Sequence, residues 1–161
     1  EEIQFGIENL AKKMDDDFFE ETPIFIGILN GSFMFFSDLM KQYRGMCEVS
    51  FVKVASYEGT QSTQNVKQLI GINENLEGKT VVIVEDIIDT GNTIEELKKI
   101  LKDKKVKHLK IATLFFKPEA YKKDIKIDYI GIRIPNKFIV GYGLDYNGLG
   151  RNLPDVYELK V

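Results

Sequence analysis

Apolar and polar positions alternate along this chain with two different periods. Ile7, Leu10, Ala11, Met14 and Phe18 recur at helical spacing, which predicts an amphipathic helix over residues 6–19, broken before Pro23. Residues 24–29 form a short apolar run of strand length, rich in β-branched side chains, that stops at Asn30-Gly31-Ser32. Ser32 is placed to cap a second helix burying Phe35, Phe36, Leu39, Met40 and Tyr43. Residues 47–57 read as a strand with Val49 and Phe51 alternating, and the polar, turn-rich stretch 58–65 reads as a mobile loop or hairpin. Residues 80–84 are nearly all apolar, as in strands covered on both faces. A helix over 93–104 follows, burying Ile94, Leu97, Ile100 and Leu101, and then strands at 109–116, 127–132, 138–142 and 156–161. Pro23, Pro118, Pro135 and Pro154 all fall at element boundaries.

Strands alternating with helices predict an α/β fold with a mainly parallel central sheet. Ligands of such sheets bind beyond the carboxyl ends of the strands. That rule selects three loops, at 30–32, 85–93 and 117–119.

Composition narrows the chemistry. The 161 residues suffice for one domain, and 43% hydrophobic with 29% charged residues is ordinary for a soluble globule. The net charge of −3 excludes a generic nucleic-acid binder, which needs a basic excess. One Cys (Cys47) excludes an intrachain disulfide framework, and one His (His108) excludes a His-rich zinc centre. No apolar run approaches the ~18 residues of a membrane span, and the opening Glu1-Glu2-Ile3 is not a signal peptide. We therefore expect a cytoplasmic protein whose first residues are missing or processed. The chemistry falls to carboxylates, Lys, Arg, hydroxyls and backbone.

The segment Glu85-Asp86-Ile87-Ile88-Asp89-Thr90-Gly91-Asn92-Thr93 carries most of it. An apolar strand runs into two adjacent carboxylates, a third follows, and a turn of Thr, Gly, Asn and Thr leads into a helix. Taken singly, each residue fits a solvated acidic turn. Together the turn amides and hydroxyls form a nest for a phosphate, the acidic pair suits ribose hydroxyls or a hard cation, and Asp89 between them suits a general base.

This string resembles the 5-phosphoribosyl-1-pyrophosphate (PRPP) motif of type I phosphoribosyltransferases. Other segments narrow the resemblance to the hypoxanthine-guanine phosphoribosyltransferases: Ile28-Leu29-Asn30-Gly31-Ser32-Phe33-Met34-Phe35 looks like their pyrophosphate loop, Ser56-Tyr57 with Gln61-Ser62-Thr63 like their flexible loop, and Pro135–Tyr146 followed by Arg151 and Asn152-Leu153-Pro154 like their purine-binding segment. The resemblance runs from about Ile24 to the C-terminus. It implies one domain of type I phosphoribosyltransferase fold: a mainly parallel central sheet flanked by helices, with a flexible loop at about 57–66 and a small hood subdomain. The hood would come from residues 133–161, with a contribution from the N-terminus.

The implied reaction is magnesium-dependent transfer of phosphoribosyl from PRPP to hypoxanthine or guanine, giving a nucleoside monophosphate and pyrophosphate. By the same resemblance Glu85 and Asp86 hold the ribose hydroxyls, directly or through Mg²⁺. Asp89 is the general base, and the stretch Asp89, Thr90, Gly91, Asn92 and Thr93 cradles the 5′-phosphate. Asn30, Gly31 and Arg151 bind pyrophosphate. Lys117 donates to the purine 6-oxo group, Phe138 stacks on the base, the Ile139 backbone reads its edge, and Asp145 holds a second Mg²⁺. Ser56 and Tyr57 close over the site. A non-proline cis peptide is implied before Asn30, which stands where relatives often have Lys or Arg; Asn136 stands where many have Asp. The resemblance also implies a homodimer or homotetramer, with no nucleic-acid or membrane partner.

Three other readings use the same residues: a xanthine-preferring transferase, a PRPP- or nucleotide-sensing regulator, and a phosphoacceptor signalling domain. Retained Lys117, Phe138 and Arg151 weigh against the regulator. The Gly-Ser-Phe loop and the Asp145…Arg151 pair weigh against the phosphoacceptor. Cys47 and His108 read as packing and strand-edge residues.

Overall fold

A computed structural model of the chain describes residues 1–55 and 67–160. Ser56, Tyr57 and the whole 57–66 stretch expected as a loop lie outside the described residues. Helix α1 (Glu2–Asp17) leads into β1 (Ile24–Leu29), α2 (Phe33–Gln42), β2 (Glu48–Ala55) and β3 (Lys67–Ile70). Strand β4 (Thr80–Ile88), α3 (Asn92–Leu101), a short 3₁₀ turn at Lys102–Lys104, β5 (His108–Phe116) and β6 (Tyr129–Arg133) follow. The chain finishes with β7 (Ile139–Val140) and β8 (Tyr157–Glu158).

Six strands form one sheet in the order β3-β2-β1-β4-β5-β6. All pairs are parallel except β2 with β3. The alternation of side chains along a strand sends successive residues to opposite faces. On one face Phe25, Val82, Val84, Ala112 and Leu114 meet α1 and α2 through Leu10, Met14, Phe35 and Leu39. On the other, Ile24, Ile26, Val81, Ile83 and Ile111 meet α3 through Ile94, Leu97 and Leu101. Both faces are thus covered, which is why β1 and residues 81–84 of β4 are apolar throughout. Cys47 packs against the first core, where burial pushes its thiol up, and His108 is exposed at the start of β5.

The elements depart from their sequence pattern at five places. Ser32 precedes α2 but does not cap it; its hydroxyl turns back and donates to the Ile28 carbonyl at 2.7 Å, because the residue is fully buried under the β1–α2 turn. On β2, Val49 and Phe51 mark the more open face, at 52% and 38% exposure, while Val52 and Ser50 are buried. Val52 joins the α3-side core, whereas Phe51 meets a tilted Phe36 ring at 5.0 Å. Strand β4 continues four residues past Val84, because Glu85, Ile87 and Ile88 stay in register with Thr113, Phe115 and Phe116 of β5. The 138–142 run shortens to a two-residue strand paired with β8 outside the main sheet. Positive φ angles at Gly141, Tyr142 and Gly143 turn its chain out of extended conformation. Strand β3 has no counterpart in the sequence reading. Among the described residues, no helix is long and apolar enough to cross a membrane.

Candidate active site

β1 and β4 are neighbours, but the chain leaves them in opposite directions, through α2 to β2 on one flank and through α3 to β5 on the other. A crevice opens at the carboxyl ends of strands where connections diverge in this way. Here it holds a cavity of about 340 Å³ lined by Ile28, Leu29, Gly31, Glu85, Asp86, Ile87, Asp89, Lys117, Phe138, Ile139, Leu144, Asp145 and Arg151. A second hollow of about 250 Å³ adjoins it, lined by Glu85 to Ile94. A larger cleft, about 820 Å³, lies at the opposite end of the strands, between residues 15–22 and Arg44–Met46, and gathers neither the acidic pair nor Lys117.

Glu85 and Asp86 sit within β4, each only 8% exposed. Burial, reinforced by the neighbouring Asp86 charge, holds the Glu85 carboxyl well above the usual carboxylate range. Burial also raises Asp86, opposed by hydrogen bonds and by the Arg151 charge. Two buried neighbouring carboxyls resist ionising together. Asp86 also lies against the next strand's loop: a Cβ on Gly31 would fall 2.1 Å from its Oδ2. Position 31 is therefore glycine because the acidic pair and the β1 loop come together there. The peptide between Leu29 and Asn30 is cis, as the resemblance implied.

Asp89 follows β4 and is exposed, at the junction of the two hollows. Lys117 directly follows β5 beside it, and its backbone N–H donates to the Ile88 carbonyl at 3.0 Å. The Lys117 ammonium is buried and donates to Asp89 Oδ2 at 3.2 Å. Beyond Asp89 the chain turns at Gly91 (φ +91°) into α3. The first-turn N–H groups of that helix have no acceptor within the helix, so the second hollow is lined by donors and by the hydroxyls of Thr90 and Thr93.

The cavity's outer wall comes from residues 138–151. Phe138 is 51% exposed, with Tyr146 edge-on at 6.0 Å. This is a ring held at a cavity rim rather than in the core. Gly143 (φ +97°) sits on the β1 loop so closely that a Cβ there would lie 2.2 Å from the Gly31 carbonyl oxygen. Arg151 donates to the Gly143 carbonyl at 2.7 Å and pairs with Asp145 at 3.2 Å. Asp145 also accepts from the Gly148 N–H at 2.8 Å, so it is at once a turn residue and a wall of the site.

A family model described as "Phosphoribosyl transferase domain" matches residues 1–147. A hypoxanthine-guanine phosphoribosyltransferase of Streptococcus pyogenes is 46% identical over 152 residues, covering 94% of this chain and 84% of its own. The chain belongs to the hypoxanthine-guanine phosphoribosyltransferase family. Solved structures agree. A hypoxanthine phosphoribosyltransferase of Staphylococcus aureus superposes with a TM-score of 0.92 at 41% identity, covering 99% of this chain and 87% of that one. A hypoxanthine-guanine phosphoribosyltransferase of Bacillus anthracis gives 0.92 at 39%, covering 99% and 94%.

Within this phosphoribosyltransferase, the residues expected at the site divide into three groups. Gly31, Glu85, Asp86, Asp89, Lys117, Phe138, Ile139, Asp145 and Arg151 line one cavity, and Thr90, Gly91, Asn92 and Thr93 join Glu85, Asp86 and Asp89 around the second. Asn30 is exposed at the end of β1 and is not part of either wall; its carbonyl accepts from the Phe33 N–H at 3.3 Å. Ser56 and Tyr57 are outside the described residues. Sequence reasoning gave no role to Gly143, which joins the 138–151 wall to the β1 loop, or to Tyr121, which packs on Gly91. The Gly-Tyr-Gly triplet at 141–143 was a legible sign of the first. Tyr121 lies in a non-periodic stretch and left no sign.

Proposed function

We propose that this protein is a purine-salvage enzyme that transfers the 5-phosphoribosyl group of PRPP to hypoxanthine or guanine, releasing pyrophosphate and IMP or GMP. The observation that carries the reading is the single cavity joining Asp89 and Lys117 to the buried acidic pair, the β1 loop and the Phe138 ring. The relatives' names support the same reaction.

The chemistry follows the charges. Breaking the anomeric C–O bond builds positive charge on the ribose and negative charge on pyrophosphate, so the protein must position both partners and neutralise the second. The turn at 89–93 holds the 5′-phosphate through α3's free amides and the two threonine hydroxyls. Glu85 and Asp86 take the ribose hydroxyls. The β1 loop meets pyrophosphate with the backbone of Asn30 and Gly31, and Arg151 supplies the charge that Asn30 lacks. On the base side, Phe138 stacks on the purine and the Ile139 backbone reads its edge. Lys117 donates to the 6-oxo oxygen, an acceptor that an aminopurine does not offer. Asp89 then takes or shares the ring proton. In the free protein Lys117 already satisfies Asp89, so the purine oxygen replaces a bond rather than filling an empty donor.

We infer that the reaction uses magnesium, held by substrate oxygens and a small number of carboxylates. This ion binds through one or two carboxylates together with substrate oxygens. Glu85 and Asp86, buried side by side at the crevice, would offer such a pair, and Asp145 would hold a second ion across the cavity. When bound, magnesium offsets the charge that develops on the leaving pyrophosphate. Assay of the protein with Mg²⁺ and PRPP against hypoxanthine, guanine, xanthine and adenine tests the proposal. Turnover of hypoxanthine or guanine is expected, and adenine is not used. Preference for xanthine, or turnover of none, overturns it.

A further inference from the structure

Between β5 and β6 the chain makes an excursion, residues 117–128, that touches both halves of the site. It starts at Lys117, where the N–H groups of Ala120 and Tyr121 donate to the Lys117 carbonyl at 3.2 and 3.1 Å. The excursion then crosses the phosphate turn. The Lys122 N–H donates to the Thr90 carbonyl at 3.3 Å. A Cβ built on Gly91 would fall 2.6 Å from the Tyr121 ring and 2.8 Å from the Lys123 stem, so both side chains lie directly on Gly91. Each of them is itself held. The Tyr121 hydroxyl donates to the Ile125 carbonyl at 2.6 Å, and its ring meets Phe116 edge-on at 5.2 Å. The Lys123 ammonium reaches Glu95 in the first turn of α3 at 3.1 Å.

We infer that Tyr121 is a positioning residue for the PRPP 5′-phosphate. Its ring, locked by Phe116 and Ile125, holds the Thr90–Gly91 turn in the conformation that presents α3's amides. Gly91 occupies the left-handed region, which a free glycine visits only about as readily as the right-handed one, so the Tyr121 ring packed on it shifts that balance toward the competent turn. Tyr121 does not reach the ligand through its own polar atom, because the hydroxyl is spent on Ile125. Its contribution is to the fraction of molecules whose turn is already competent, and apparent affinity falls in proportion to that fraction.

The inference rests on the proposed function, and its test separates the two. Tyr121→Ala is compared with Tyr121→Phe and wild type in steady-state kinetics, varying PRPP and hypoxanthine in turn. Calorimetry of ribose 5-phosphate, which needs no turnover, runs in parallel. If the competent fraction falls to about a tenth, Tyr121→Ala raises the KM for PRPP and the Kd for ribose 5-phosphate about tenfold. The hypoxanthine KM stays within about twofold, and Tyr121→Phe, which keeps the ring, recovers most of the loss. A merely structural role would lower the active fraction, and so kcat, while leaving both KM values and the Kd in place; that result overturns the inference. Equal loss for PRPP and hypoxanthine overturns it too. If wild type turns over no purine, the functional reading has failed, and the ribose 5-phosphate Kd alone decides: tenfold weakening in Tyr121→Ala sustains the positioning role, and no change removes it.

Discussion

Lys117→Met keeps the length and bulk of the side chain and removes its charge. In the free protein this lysine is tied to Asp89 at 3.2 Å, with Lys117 itself buried and Asp89 48% exposed. At that distance Coulomb's law gives about 5 kcal/mol at an effective dielectric of ~20 and about 1.3 kcal/mol in water. Because Asp89 faces solvent, the pair belongs near the screened end, at about 1–2 kcal/mol. A charge-assisted bond from Lys117 to the purine oxygen contributes up to ~3 kcal/mol. Moving the lysine from Asp89 to the purine therefore yields a net ~1–2 kcal/mol, and Lys117→Met should lower kcat/KM for hypoxanthine about five- to thirtyfold. The KM for PRPP should stay within about twofold. The trade has a second consequence. In an Asp89→Asn background no ion pair is given up, so Lys117→Met should cost nearly the full bond there, about a hundredfold. The assay is initial-rate formation of nucleoside monophosphate in all four proteins. Equal losses for hypoxanthine and PRPP would refute the base-reading role. An identical Lys117→Met factor in both backgrounds would refute the exchange of partners.

Glu85→Gln should stabilise the protein near neutral pH in the absence of divalent cations, by ~1–2 kcal/mol or about 2–8 °C in melting temperature. Burial holds the Glu85 carboxyl well above its unfolded value of about 4.3, so the folded state keeps a proton that the unfolded state releases. Its contribution is full below about pH 4.3 and declines as pH rises. Glutamine flattens that decline, and a melting-temperature profile parallel to wild type would count against this account. Gly143→Ala should weaken pyrophosphate binding about tenfold or more, since its Cβ meets the Gly31 carbonyl and φ +97° is strained for alanine. Calorimetry with pyrophosphate and Mg²⁺ measures this, and unchanged affinity would show that the two segments separate freely. Tyr142→Phe removes the hydroxyl that donates to Asp38 on α2, and should lower stability by ~1 kcal/mol, a fall of about 2–4 °C. An unchanged melting temperature would mean that solvent replaces the bond without loss.

The sheet and its covering helices were legible because the relevant signals are local. Ile24–Leu29 and the 80–84 run are apolar enough to need cover on both faces, and the α3 periodicity supplies one of those covers. The string at 85–93 was legible for a similar reason: three carboxylates and a phosphate-type turn are contiguous in the chain. Features created by contact between distant segments left less trace. Nothing in the sequence near Lys117 or Asp89 shows that they bond to each other, because β4–β5 register makes them neighbours. Ser32 looks like a cap until its burial under the turn gives it the nearer Ile28 carbonyl. The open face of β2 follows from the strand's place beyond β1, which side-chain alternation does not encode.

The pairing of β1 with β4, in which Ile24 lies opposite Val81, also bears on how the molecule is made. A ribosome finishes the β1 loop, α2, β2 and β3 long before Glu85 and Asp86 emerge. Parallel pairing between segments so far apart is slow, since the intervening chain must be ordered first. A nascent chain ending before β4 thus carries half a crevice and an unpaired flank of β1, a surface suited to chaperone contact or misassembly. Ligand affinity should then begin only once β4 docks and be complete only when β5 and the 138–151 wall bring in Lys117, Phe138 and Arg151. Truncations made from the C-terminal side should lose purine and pyrophosphate affinity first, with that wall, and the 5′-phosphate turn last.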